Sequence, residues 1–141
     1  MSMNVKQAVP FFKVADMGAS IRFYVDGLGC EVTQKWEVDG QLRWCWLTLG
    51  EAALMLQQFP TSGHDSWTPS GQVGEGVTVV FICEDALQLY EEFRARGLDA
   101  SLPFVSNGLW LTSLTDPDGF RLDFESDTDV PEGTRYEEER E

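Results

Sequence analysis

Asp116-Pro117-Asp118-Gly119-Phe120-Arg121-Leu122-Asp123-Phe124-Glu125-Ser126 is the stretch on which the reading of this chain turns. Pro117, second in a four-residue turn, presets φ, and Gly119 in fourth place suits a type I turn. Beyond the turn the residues alternate, with Phe120, Leu122 and Phe124 on one side and Arg121, Asp123 and Glu125 on the other. A two-residue period marks a strand with one face on a core and one facing something polar. That second face is either solvated or lines a cleft.

The rest of the chain repeats this closing pattern. Residues 8–14 alternate as a first strand, with Pro10, Phe12 and Val14 on one face and Val9, Phe11 and Lys13 on the other. Asp16 reads as a helix N-cap, Met17, Ile21, Tyr24 and Leu28 as a buried stripe, and Gly27 and Gly29 as the stop. Strands follow over residues 30–38, 41–49 and 52–59, the first two joined by the hairpin signal Asp39-Gly40. A second series begins at residue 77. It has a strand over 77–83, the N-cap Asp85, the stripe Ala86, Leu89, Tyr90 and Phe93, the stop Gly97, a strand over 100–106, the turn Asn107-Gly108, a strand over 109–115, and the closing strand. Both copies read βαβββ. Asp16 to Asp85 and Gly50 to Gly119 are each 69 residues apart, and Gly29 to Gly97 and Asp39 to Asn107 are each 68, so four landmarks share one offset and argue for a duplicated module. The expected fold is α+β: two tandem βαβββ modules forming a cup-shaped, mostly antiparallel sheet with helices on its outer face. Residues 1–126 form a single domain, with module one over 7–59, a polar loop over 60–76 and module two over 77–126. A loop of that length inside a compact domain is functional or disordered.

The chain has 141 residues with 43% hydrophobic and 12% aromatic content, enough for one domain with its own core. Its net charge is −14. Residues 1–115 hold 13 acids and 7 bases and residues 116–141 hold 11 acids and 3 bases, so the acidity is concentrated at the C-terminus. Such a chain repels phosphate backbones, which disfavours nucleic acid as a partner, whereas cationic ligands are favoured at encounter. Residues 127–141 read as a solvated or loosely docked acidic tail, with the run Glu137-Glu138-Glu139 simply solvated. No apolar run has the length of a membrane span, and residues 1–7 carry no signal core. Three cysteines, Cys30, Cys45 and Cys83, lack paired spacing, so buried thiols in a reduced, cytoplasmic protein are expected.

Phe12-Lys13-Val14-Ala15-Asp16, Ser20-Ile21-Arg22-Phe23-Tyr24 and Leu28-Gly29, with the closing turn Asp116-Pro117-Asp118-Gly119 and its acid-bearing strand, resemble the opening and closing of modules in the vicinal oxygen chelate superfamily, which includes glyoxalases, bleomycin-resistance proteins and dioxygenases. The resemblance covers about residues 7–126. It implies a ligand held in the cup, and in metal-dependent members four ligands from the first and fourth strands of both modules. Carried onto this chain, those slots fall on Val9, Met55, Thr78 and Asp123. A transition ion wants about three or more His or carboxylate donors. Of the four only Asp123 is one, so neither a metal nor another cofactor is expected.

The resemblance is closest to the metal-free, acidic bleomycin-resistance type, which implies a homodimer that sequesters an aromatic, cationic drug in grooves between subunits. The expectation is a metal-independent small-molecule-binding protein. A divalent-metal-dependent lyase, isomerase or dioxygenase of the same superfamily is the enzymatic rival, and a non-catalytic dimeric interaction module is the third reading. No residue is assigned to catalysis. The expected ligand-binding residues are Trp44, Trp46, Met55, Thr78, Trp110, Arg121, Asp123 and Glu125. Trp44 and Trp46 share a face and are either core or an aromatic wall. Trp110 closes the cup from the second module. Asp123 contacts ligand, acts as a base, or pairs with Arg121. Phe11, Phe59 and Phe104 add lining if they face the cup. Trp67 is a lid, a dimer contact or simply exposed, and His64-Asp65 is an acid–base pair or a solvated loop element.

Overall fold

The computed structural model describes residues 3–60, 63, 66, 67 and 69–137. Module one runs β1 (Phe11–Val14), α1 (Met17–Ile21) continuing as a π-helical stretch (Arg22–Gly27), β2 (Glu31–Val38), β3 (Gln41–Leu49) and β4 (Ala52–Gln58). Module two runs β5 (Thr78–Ile82), α2 (Ala86–Ala95), β6 (Phe104–Ser106), β7 (Leu109–Thr115) and β8 (Arg121–Asp127). Each module folds into a four-stranded sheet, in the order β1-β4-β3-β2 and β5-β8-β7-β6. β1 runs parallel to β4 and β5 to β8, and the remaining pairs are antiparallel.

The local signals act as their chemistry requires. Asp16 accepts from Ala19 N–H and Asp85 from the N–H groups of Leu87 and Gln88, satisfying first-turn donors that have no partner within the helix. α2 ends in a Schellman closure: Gly97 N–H donates to Arg94 and Leu98 N–H to Phe93, with Gly97 at φ +87°. Asp39-Gly40 and Asn107-Gly108 all take positive φ, as a two-residue hairpin loop of type I′ demands. In the closing turn Gly119 N–H donates to Asp116 C=O at 3.1 Å, while Asp116 Oδ1 accepts from the N–H groups of Asp118 and Phe120 at 2.9 Å each.

The two modules share one core. Phe12, Val14, Leu54 and Leu56 from sheet one and Phe81, Leu122 and Phe124 from sheet two are all buried in it, and Phe12 stacks on Phe120 with ring centroids 3.9 Å apart. Polar ties close the seam. Tyr24 OH donates to Asp116 Oδ2 at 2.7 Å, and Ala15 N–H donates to Asp118 Oδ1 at 3.0 Å. Arg96 Nη1 donates to the carbonyls of Gly27 and Leu28, placing a cation at the C-terminal end of the first helix, where the helix dipole favours it. Close approach there needs glycine, because a Cβ on Gly27 would sit 2.6 Å from Leu98 Cδ2.

Both sheets turn their buried faces to this common core, so their other faces point away from it. Among the described residues no strand pairs across the two sheets, and the outer edges of β1 and β5 are bare. The cup is therefore divided within one chain between two separate sheets. The acidic tail is firmly docked as far as Tyr136. Val105 N–H donates to Thr134, Gly133 N–H to Val105 and Tyr136 N–H to Pro103, Arg135 bridges Phe104, and Tyr136 OH donates to Glu91. It extends β6 by a further irregular strand, which pairing of backbone groups favours over solvation. Of the run Glu137-Glu138-Glu139 only the first lies within the described residues.

Candidate functional site

Strand register places the aromatic side chains of the open face of sheet one in two adjacent rows, with Ala53, Thr48 and Glu31 forming a third row beyond them. Phe11, Met55, Trp46 and Gln34 are neighbours across four strands, and Lys13, Gln57, Trp44 and Trp36 form the next row. Phe59, two residues beyond Gln57, continues the strip and is buried beneath Trp67, whose ring meets it edge-on at 5.0 Å. Trp67 N–H donates to Pro60 C=O at 3.0 Å, which ties Trp67 to the residue just past Phe59. Lys13, Gln57, Phe59, Pro60 and Trp67 line a pocket of about 520 Å³. Four indoles, two phenyl rings and a thioether thus share one surface, with Lys13, Gln34 and Gln57 set among them. Trp44, Trp46 and Met55 are half-buried, and Trp36 is 56% exposed. A planar organic molecule is the natural occupant of such a wall, since indole offers wide apolar area and a π face.

The open face of sheet two has different chemistry. Thr78, Arg121 and Thr115 form one row, Val80, Asp123 and Ser113 the next, and Ile82, Glu125, Leu111 and Phe104 a third. Asp123 is buried and engaged: Arg121 Nε donates to its Oδ1 at 2.8 Å and Ser113 Oγ donates to the same oxygen at 2.6 Å. Of the three roles open to Asp123, pairing with Arg121 is the one its geometry displays. Glu125 is half-buried beside Ile82, and Thr78 is exposed at the strand start.

Trp110 does not join either open face. Its cross-strand neighbours are Val105 and Ser126, it shares the α2 side of the sheet with Thr112, and its ring lies edge-on to Tyr136 in the docked tail at 6.2 Å. Alternation along β7 puts it opposite Ser113 and hence opposite Asp123. Phe11, Phe59 and Phe104 do lie on open faces. His64 and Asp65 lie outside the described residues.

The slots Val9, Met55, Thr78 and Asp123 are a poor fit for a metal. An alkyl group, a thioether and a hydroxyl accompany one carboxylate, and that carboxylate already accepts two hydrogen bonds, one of them from a guanidinium. Among the described residues no three His, Cys, Asp or Glu side chains converge as a cation site. The described helices include none long and apolar enough to cross a membrane.

Charge is also arranged away from the wall. At the seam, burial raises the carboxyls of Asp116 and Asp118 above their ordinary values, against the hydrogen bonds that favour ionisation. Burial, then the neighbouring Asp116, raises the Tyr24 phenol, and burial pushes the thiols of Cys30 and Cys45 up to about 12 and about 11. A larger hollow of about 750 Å³ lies between residues 7–10, the turn at Gly50, β5 and α2, with Phe81, Phe93 and Phe124 at its base and Glu51 and Glu84 at its rim.

Lys13, Gln57 and Trp36 are site residues absent from the sequence expectation. Lys13 was legible on the alternate face of strand one. Trp36 was not: a two-residue loop at Asp39-Gly40 pairs Val38 with Gln41 and Glu37 with Leu42, which would set Trp36 opposite Arg43, but a bulge shifts it opposite Trp44.

The known proteins that this chain is similar to agree with the architecture. The model of the Glyoxalase/Bleomycin resistance protein/Dioxygenase superfamily matches residues 9–124. TioX from Micromonospora sp. ML1 is 18% identical, with a TM-score of 0.68 over 87% of this chain and 99% of that one. TnmS3, an antibiotic binding protein from Streptomyces sp. CB03234, is also 18% identical, with a TM-score of 0.68 over 90% and 100%. A bleomycin-binding protein solved with bleomycin is 18% identical, with a TM-score of 0.65 over 87% and 99%. No curated protein sequence matches the chain. At these identities the neighbours speak for the fold, whereas the family match spans most of the chain: the protein belongs to the Glyoxalase/Bleomycin resistance protein/Dioxygenase superfamily.

Proposed function

We propose that this protein sequesters a planar aromatic compound on the open face of sheet one, without making or breaking bonds, and that it does so as a homodimer. The observation that carries the reading is the apolar strip Phe11, Met55, Trp46, Trp44, Trp36, Phe59 and Trp67 on a face turned away from the chain's own core. Exposed apolar area of this kind marks a recognition site rather than a packing surplus. Two of the structural neighbours carry antibiotic or bleomycin binding in their descriptions, which supports the same use of this fold. Met55 and the half-buried indoles would hold the ring. Arg121, Asp123, Glu125 and Thr78 would supply polar contacts from sheet two, with Glu125 and the net charge of −14 accommodating a positive pole on the ligand.

The dimer is supported by what one chain leaves unfinished. β5 has a bare edge with Val80 48% and Ile82 78% exposed, Phe11 is exposed beside the equally bare edge of β1, and unpaired apolar strand edges invite pairing with another chain. A second copy meeting those edges would bring a sheet-one face and a sheet-two face into one bowl. Trp67 would then act as a lid at the mouth.

Calorimetric titration with bleomycin and a panel of cationic, neutral and anionic planar aromatics tests the reading. Saturable binding at micromolar concentration to at least one of them is expected, unchanged by prior dialysis against a chelator. Absence of heat across the panel, or binding that appears only with added divalent metal, would contradict it.

A further inference from the structure

The aromatic wall has a polarity of its own, opposite to that of the protein as a whole. Across the two aromatic rows of sheet one there is no carboxylate and Lys13 is the one formal charge; Glu31 stands in the row beyond, two rows from Lys13. The Lys13 Nζ lies 4.5 Å from the centroid of the Phe11 ring, and no carboxylate among the described residues forms an ion pair with it. Gln57 stands beside it in the register and brings an amide donor to the same pocket, whose remaining lining is Phe59, Pro60 and Trp67. A cation and an amide N–H₂ at the end of an apolar trough match a group that offers oxygen acceptors, and match an anion best.

We propose that the pocket of Lys13, Gln57, Phe59, Pro60 and Trp67 receives the acidic end of the aromatic ligand, a carboxylate, phenolate or sulfonate, while the ring lies on the indoles of Trp44 and Trp46. This rests on the reading of the strip as an aromatic-binding face, and it adds the ligand's charge and orientation. Lys13 and Gln57 are specificity residues here. The net charge of −14 opposes an anion at long range, but that repulsion is screened beyond about 8–10 Å at moderate salt, whereas a contact with Lys13 in an apolar trough is screened far less. Contact therefore decides affinity and the overall field only slows approach. Added salt should speed association of an anionic ligand and slow that of a cationic one. Any positive pole on the ligand belongs at Glu125 on the other sheet, away from this pocket.

The test uses three ring-matched probes on the intact protein at neutral pH: 2-naphthoate, 2-naphthalenemethanol and 2-naphthylmethylamine, followed by quenching of tryptophan fluorescence. The expected result is naphthoate binding about tenfold or more tighter than the alcohol, the scale of one charge-assisted hydrogen bond, with the amine no tighter than the alcohol. Lys13→Met should bring naphthoate down to the level of the alcohol. Lys13 is exposed, so the variant should keep the wild-type melting curve. Trp67→Ala should weaken all three in parallel. If the amine binds as tightly as naphthoate, or Lys13→Met leaves naphthoate binding intact, the charge assignment is overturned while the aromatic face stands. If none of the three binds, the aromatic face falls with it.

Discussion

At the scale of single residues, the seam between the modules is held by groups that would rather be elsewhere. Tyr24 OH and Asp116 Oδ2 satisfy each other in a buried place, so Tyr24→Phe strands a carboxylate oxygen and should cost about 1–3 kcal/mol, read as a lowered urea midpoint at unchanged slope. Asp118 is the opposite case. One of its oxygens accepts from Ala15, and the other, Oδ2, is buried without a hydrogen-bond partner among the described residues. Burial raises its folded-state pKa above the ordinary carboxylate value of 3.8. The native state therefore binds this proton more tightly than the unfolded chain does. The contribution to stability is full below the unfolded pKa and is lost as pH rises through the folded one. Asp118→Asn should stabilise the protein at pH 7, and the gain over wild type should vanish as pH falls below about 4, as thermal melts across that range would show. The turn pattern announced that Asp116 and Asp118 are turn formers. It could not announce that they tie to Tyr24 and Ala15 in the other module, because those contacts span 92 and 103 residues and belong to the packing of one module on the other.

Elements were the legible part. N-caps at Asp16 and Asp85, both hairpin turns, the closing turn and the alternation of β8 fell where propensity and period place them, because each is decided within a few residues. Two features went unread for lack of a local cause. The first helix widens into a π-helical stretch as it approaches Leu98 and Arg96 of module two, and the tail adds itself to β6 through backbone bonds that no side-chain pattern advertises. Nearness to a hairpin does not give the face of Trp110, whereas pairing of Thr115 with Arg121 across the closing turn does. The strap after residue 69 also belongs to this scale. Gly74 N–H donates to Asp118 C=O, and a Cβ on Gly74 would collide with the backbone of Phe120. Gly74→Ala should accordingly cost about 1–3 kcal/mol by overpacking against backbone that cannot yield, measurable by denaturant titration, with little change in aromatic binding because the strap lies on the closing turn of module two.

The whole molecule is two half-bowls joined back to back on a shared core, and its function in this account depends on the faces left outside. The bare β5 edge makes a prediction at that scale: Ile82→Lys should shift sedimentation toward a monomer without lowering the melting temperature of the chain, since Ile82 is exposed and contributes nothing to the core. The duplication could be read from residue spacing, because four landmarks share one offset. The division of the cup between two sheets could not, because strand-to-strand pairing between modules leaves no mark in the order of residues. The central claim, that an organic ring binds on the indole face of sheet one, can be tested on five reporters, since the chain has tryptophan only at 36, 44, 46, 67 and 110. Assigned indole N–H resonances followed by NMR during titration with 2-naphthoate should move for Trp36, Trp44, Trp46 and Trp67 and stay fixed for Trp110, which lies on the far side of sheet two against Tyr136. Shifts confined to Trp110, or saturation that moves none of the other four, would contradict the account.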